Sequence, residues 1–98
     1  MVRIDEELEV AEQAQMIIGT LSTSSALNSN DVATLRKATD VADHGMIIIL
    51  SGEELLNAAR HKVGIALSDL INGPLTRESI DAAKRAIEAW VKFLKEQH

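Results

Sequence analysis

Residues 51–74 read SGEELLNAARHKVGIALSDLINGP, and this stretch carries a start signal, a stop signal and a core stripe in one piece. Ser51-Gly52-Glu53-Glu54 fits a capping box, in which the Ser hydroxyl accepts from the backbone N–H three residues on and that residue's carboxylate returns the bond. Leu56, Ala59, Val63, Ala66 and Leu70 then alternate between spacings of three and four, which places them on one helical face, with Leu55, Leu67 and Ile71 widening it. Asn72-Gly73-Pro74 supplies the end: Gly73 is free to take the left-handed conformation that closes a helix, and Pro74 cannot continue one. The spacing predicts a helix over 52–72.

Upstream, residues 4–21 repeat the pattern with Ile4, Leu8, Ala11, Ala14, Ile18 and Leu21, leaving Glu7, Glu9, Glu12 and Gln13 off the stripe. Asp5, Glu6 and Glu7 suit the positive end of the helix dipole. Gly19–Asn30 is rich in Ser, Thr and Asn, which compete for backbone hydrogen bonds and favour a connection. A second helix is predicted over 30–50 on Val32, Leu35, Thr39, Ala42, Met46 and Ile49. Gly45 weakens it by about 1 kcal/mol relative to Ala. A competing reading makes Asp43-His44-Gly45 a turn and Met46–Leu50 a buried strand, but such a strand has only the glycine-interrupted Met16–Leu21 to pair with.

Downstream, residues 76–95 form the last predicted helix, with Thr76 as N-cap and Ile80, Ala83, Ile87, Trp90 and Leu94 as its stripe. Ala82, Ala83, Ala86 and Ala89 here, with Ala58, Ala59, Gly64 and Ala66 on the preceding helix, leave little bulk between the two backbones, so these helices are expected to pack closely as an antiparallel hairpin. Four amphipathic helices predict an all-α fold, a small antiparallel four-helix bundle with all of 1–98 in one domain.

The 98 residues include no cysteine, which excludes disulfides, a thiol nucleophile and thiolate metal sites. No signal-peptide core is visible after Met1, and the apolar run Met46–Leu50 is far too short to span a bilayer, so the expectation is a cytoplasmic protein with no membrane partner. The formal charge of −5 is unevenly spread: residues 1–49 hold eight acidic and three basic side chains, residues 50–98 seven of each. No basic stripe offers counterion release to nucleic acid, and Trp90 and Phe93 are the only aromatics for stacking. No nucleic-acid partner is expected.

The titratable residues give no chemistry that a bundle interior requires. Asp40 and His44 lie one turn apart with Asp43 between them, but no Glu-x-x-His occurs anywhere, so the di-iron bundle pattern fails. Glu9 and Glu12 are a magnesium-type pair without facing acids. His61 lies off the stripe, and Ser22, Ser24 and Ser25 sit in a connection with no strand-to-helix turn of the kind that exposes a nucleophile. No catalytic residue, metal or cofactor is assigned, and the chain is expected not to be an enzyme. A metal-dependent helical-bundle enzyme is kept as a separate alternative.

Apolar excess is what departs from an ordinary bundle. On the wheel for 31–50, Val41, His44 and Ile48 fall opposite the core stripe and Ile47 on its flank, while Ala82, Ala86, Ala89 and Phe93 lie beside the main stripe of the last helix. Val41, His44, Ile47, Ile48 and Phe93 are therefore the expected interface. The functional expectation is a non-catalytic interaction or regulatory module that presents an apolar helical face to itself, as a homodimer, or to another protein. The alternative within binding is an acidic inhibitor that occupies a partner's nucleic-acid-binding surface.

Overall fold

Helix starts are set by short polar side chains that satisfy the N–H groups a first turn leaves unpaired. In a computed structural model of the protein, which describes residues 4–22, 27–47 and 54–97 (side chains within 5–22, 27–43 and 55–96), four helices follow: α1 Ile4–Gly19, α2 Ser29–Ile47, α3 Glu54–Asn72 and α4 Arg77–Gln97. Asn28 caps α2, its Oδ1 accepting from the Asp31 N–H at 2.8 Å. Thr76 caps α4 through a reciprocal box in which Ser79 takes the place of the usual Glu. The Ser79 N–H donates to Thr76 Oγ1, and the Thr76 N–H donates to Ser79 Oγ, both at 3.0 Å. The Ser51 cap lies outside the described residues.

The ends differ in detail from the expected ones. α1 stops at Gly19, after which the N–H groups of Thr20 and Leu21 turn back to Ile17 and Ile18, and the Thr20 hydroxyl donates to the Ile17 carbonyl at 2.8 Å. α2 runs through Gly45 to Ile47, so the turn reading of 43–45 does not hold; residues 48–50 of the alternative strand lie outside the described set. Gly73 does not adopt the left-handed conformation. Its N–H instead continues the helical ladder to the Asp69 carbonyl at 2.9 Å, and a Cβ there would stand 2.8 Å from that same oxygen. Glycine is required at this position by close approach to backbone.

The helices form an all-α four-helix bundle, a ring in which α1 packs on α2 and α4, and α3 on α2 and α4, with α1 and α3 diagonal to each other. It measures 41 × 22 × 19 Å, elongated along the helix axes. One core joins Val10, Ala11, Ala14 and Ile18 of α1, Leu35, Ala38 and Ala42 of α2, Leu56, Val63, Leu67 and Leu70 of α3, and Ile80, Ala83, Ile87, Trp90 and Leu94 of α4. Alanines on all four helices let the backbones approach while the large residues fill the axis. Gly64 contributes to a different seam from the expected one: a Cβ on it would lie 3.3 Å from Asp43 Oδ1, so it faces α2 and not α4.

Two expectations about the core are overturned. Leu55 was assigned to the widened core face of α3 but is 69% exposed, because Leu56 and Ala59 occupy the inward positions and leave Leu55 on the far flank. Glu7, assigned off the stripe of α1, is buried. Among the described residues no helix is long and apolar enough to cross a membrane. Thr76→Ala removes one half of the cap of α4 and is expected to lower unfolding free energy by about 1 kcal/mol, read as a shift in the urea midpoint at unchanged slope.

Candidate functional site

Burying a carboxylate costs several kcal/mol unless it is paired and its remaining lone pairs are satisfied. Glu7, near the start of α1, meets both conditions inside one end of the bundle. Its Oε1 accepts from Arg60 Nη2 at 2.8 Å, and its Oε2 accepts from Arg60 Nε at 2.8 Å and from the Trp90 indole Nε1 at 2.7 Å. The guanidinium is held from behind by Asn57, whose Oδ1 accepts from Nη1 at 2.9 Å. Glu7, Arg60 and Trp90 are 1%, 4% and 0% exposed. Among the described residues no buried side-chain nitrogen or oxygen lacks a partner.

The positions follow from the heptad-like spacing. Ile18, Ala14, Ala11 and Glu7 step back along α1 at four, three and four. Leu56, Arg60, Val63, Leu67 and Leu70 step along α3 in the same way. Antiparallel order brings the start of α1, the first half of α3 and the last third of α4 to one end of the bundle. Trp90, placed on the core stripe of the last helix by its spacing, is buried at that end. Its indole N–H, which needs a partner when buried, explains why a carboxylate stands opposite. Three donors thus engage both oxygens of the carboxylate, out of contact with solvent. It fixes geometry across the diagonal of the bundle.

The second feature is on the outside, where α3 and α4 meet. Leu55, Ala58, Lys62, Ile65, Asp69 and Asn72 are all exposed and recur at three-four spacing, so they form an outward stripe along the whole of α3. Leu55 at 69% and Ile65 at 52% exposure are two of the three large apolar side chains left most open among the described residues; the third is Met16 on α1. Beside the stripe runs a shallow groove of about 430 Å³, floored by Ala59, Ala66, Ala82, Ala86 and Ala89 and edged by Lys62, Asp69 and Arg85. Ala82, Ala86 and Ala89 lead on at the same spacing to Phe93, which is half buried against the core.

Of the five expected interface residues, Phe93 lies on this α3–α4 edge. Val41 is half buried and packs against the bundle's own core. The side chains of His44 and Ile47, and the whole of Ile48, lie outside the described residues. Asp40, Asp43, Glu9, Glu12, His61 and Ser22 are all exposed, and among the described residues no three metal-ligating side chains gather. No protein-family model, curated protein or solved structure matches this chain.

The missed residues had a signal. Among the described residues Glu7 and Arg60 are the only charged side chains on the inward stripes, of opposite sign and at the same end as the sole tryptophan. Glu7→Ala strands the buried guanidinium and is expected to cost about 3–5 kcal/mol. The double variant Glu7→Leu/Arg60→Met removes both charges and should regain most of that loss, leaving a deficit of about 1–3 kcal/mol from the indole N–H without an acceptor. Chemical denaturation followed by Trp90 fluorescence measures both; equal destabilisation of single and double variants would contradict the pairing.

Proposed function

We propose that the chain is a non-catalytic protein–protein interaction module that works through the outer face of α3 and the adjoining edge of α4. The observation that carries this reading is the exposure of Leu55 and Ile65 on a continuous helical stripe beside an alanine-floored groove. Fully burying such a side chain is worth about 1.5–3 kcal/mol, so a partner that covers both recovers stabilisation that the monomer forgoes. Grouped apolar residues rimmed by charge are the usual anatomy of a binding surface. The polar cluster in the core supports the same reading from the other side, since it commits the buried carboxylate of Glu7 to holding the bundle rigid behind that face.

A second reading rests on α1. Asp5, Glu6, Glu9 and Glu12 are exposed on a helix that has no Lys or Arg, which suits occupation of a basic surface on another protein, including one that binds nucleic acid. The two readings separate by salt and by substitution. Affinity capture from the native host with the unmodified chain, with Ile65→Glu and with Glu9→Gln/Glu12→Gln distinguishes them. Loss of the captured protein on Ile65→Glu, at unchanged helical content and in both low and high salt, is the expected result. Loss only with the α1 variant, and only at high salt for the unmodified chain, would transfer the function to the acidic helix.

A further inference from the structure

The outward stripe of α3 has a property that a generic apolar face lacks: its charges complement themselves when the helix is reversed. Lys62 precedes Ile65 by three residues and Asp69 follows it by four, all three exposed on one face. Among the described residues neither Lys62 nor Asp69 enters a salt bridge. We infer that the occupant of the face is a second copy of this chain, related by a two-fold axis that passes close to Ile65 and Ala66 and sets the two α3 helices antiparallel. This deepens the interaction reading above and rests on it.

In that arrangement residue i of one α3 stands opposite residue 131 − i of the other. Lys62 of each copy then faces Asp69 of its partner, which makes two reciprocal ion pairs flanking the axis. The two Ile65 side chains meet beside the axis, each over the other's alanine-floored groove of Ala66, Ala82 and Ala86. Ala58 and Leu55 come level with Gly73 and Thr76 of the partner, at the two ends of its turn between α3 and α4. A two-fold axis covers each patch with its own copy and closes the assembly at two.

Closure decides against the other self-association available, since a heterologous contact does not end at two copies. The outward residues of α1, Asp5, Glu9, Glu12 and Met16, also recur at four, three and four and include the third open apolar side chain. Lying in the α3–α4 groove of a second copy, they would place carboxylates against Asp69 as well as against Lys62 and Arg85, and they would build an open head-to-tail array. The reversed α3 pair meets no such like-charge contact on its own stripe. The face is also long: α3 has 19 residues, about 28 Å at 1.5 Å per residue.

The test is a charge swap on the 98-residue chain, read by sedimentation equilibrium and light scattering from about 1 to 100 µM in about 50 mM salt. The unmodified chain is expected to be a dimer. Lys62→Asp alone and Asp69→Lys alone each set two like-charge pairs across the axis and should raise the dimer Kd at least tenfold. The double variant Lys62→Asp/Asp69→Lys should return it to within about threefold of the unmodified value, a rescue that only reciprocal facing produces. Ile65→Glu should give a monomer of unchanged circular dichroism. A monomer at 100 µM overturns the inference, as does a dimer indifferent to Ile65→Glu, a double variant no better than the singles, or assemblies that keep growing with concentration. If the unmodified chain is monomeric yet Ile65→Glu loses a captured heterologous protein, the self-pairing fails while the interaction reading stands; if Ile65→Glu loses nothing, both fail.

Discussion

The carboxylate of Glu7 is the point through which three of the four helices are registered. α1 and α3 stand on the diagonal of the ring and have no backbone approach of their own, and the fork of Arg60 on Glu7 ties them directly. A bidentate pair tolerates little sliding: one residue of slip along either helix displaces a side chain by 1.5 Å and turns it by about 100°. Hydrophobic contacts among alanines and leucines do not discriminate so sharply between neighbouring registers. The Trp90 indole adds α4 to the same oxygen. The cluster therefore contributes specificity of packing, at a desolvation cost that an apolar core of the same shape would avoid.

That rigidity has a bearing on the outer face. α3 supplies Arg60 to the interior and Lys62 and Ile65 to the exterior within two turns, so the residues that anchor the helix inward also fix the azimuth at which its outward stripe is displayed. A helix that could roll about its axis would present Leu55 and Ile65 in several orientations and bind any partner less well, since ordering it would cost entropy on association. Here the roll is settled before a partner arrives. Gly64 assists on the third side by admitting Asp43 of α2 to close range.

Most of the fold was legible because the periodic signal was strong. The stripes of α3 and α4, the Thr76 cap and the antiparallel hairpin follow from spacings of three and four and from turn residues, and the structure reproduces them. The departures within the core share one physical origin: periodicity locates a face but does not say which edge of it tertiary packing will use. Leu55 and Leu56 are both within reach of the core by angle, and only the neighbouring helices decide that Leu56 goes in. Glu7 and Arg60 went unrecognised as core because each alone is implausible inside; the argument for them is joint, and it needs the diagonal distance that no local pattern encodes. At the candidate surface, the alanine edge with Phe93 was visible in the sequence, whereas Ile65 came to light through its exposure in the folded chain.

The long reach of the polar cluster also bears on how the protein is made. Glu7 is separated by 53 positions from Arg60 and by 83 from Trp90. During synthesis α1 leaves the ribosome with a carboxylate that water satisfies, and nothing in the chain can replace that water until α3 follows, nor complete the replacement until Trp90 emerges. The α3–α4 hairpin, joined by a short turn, can assemble on local contacts alone, but it does so with the Arg60 guanidinium awaiting its counter-ion. A chain that closed in the wrong register would carry an unneutralised cation in its core, and the cost of several kcal/mol disfavours such closures.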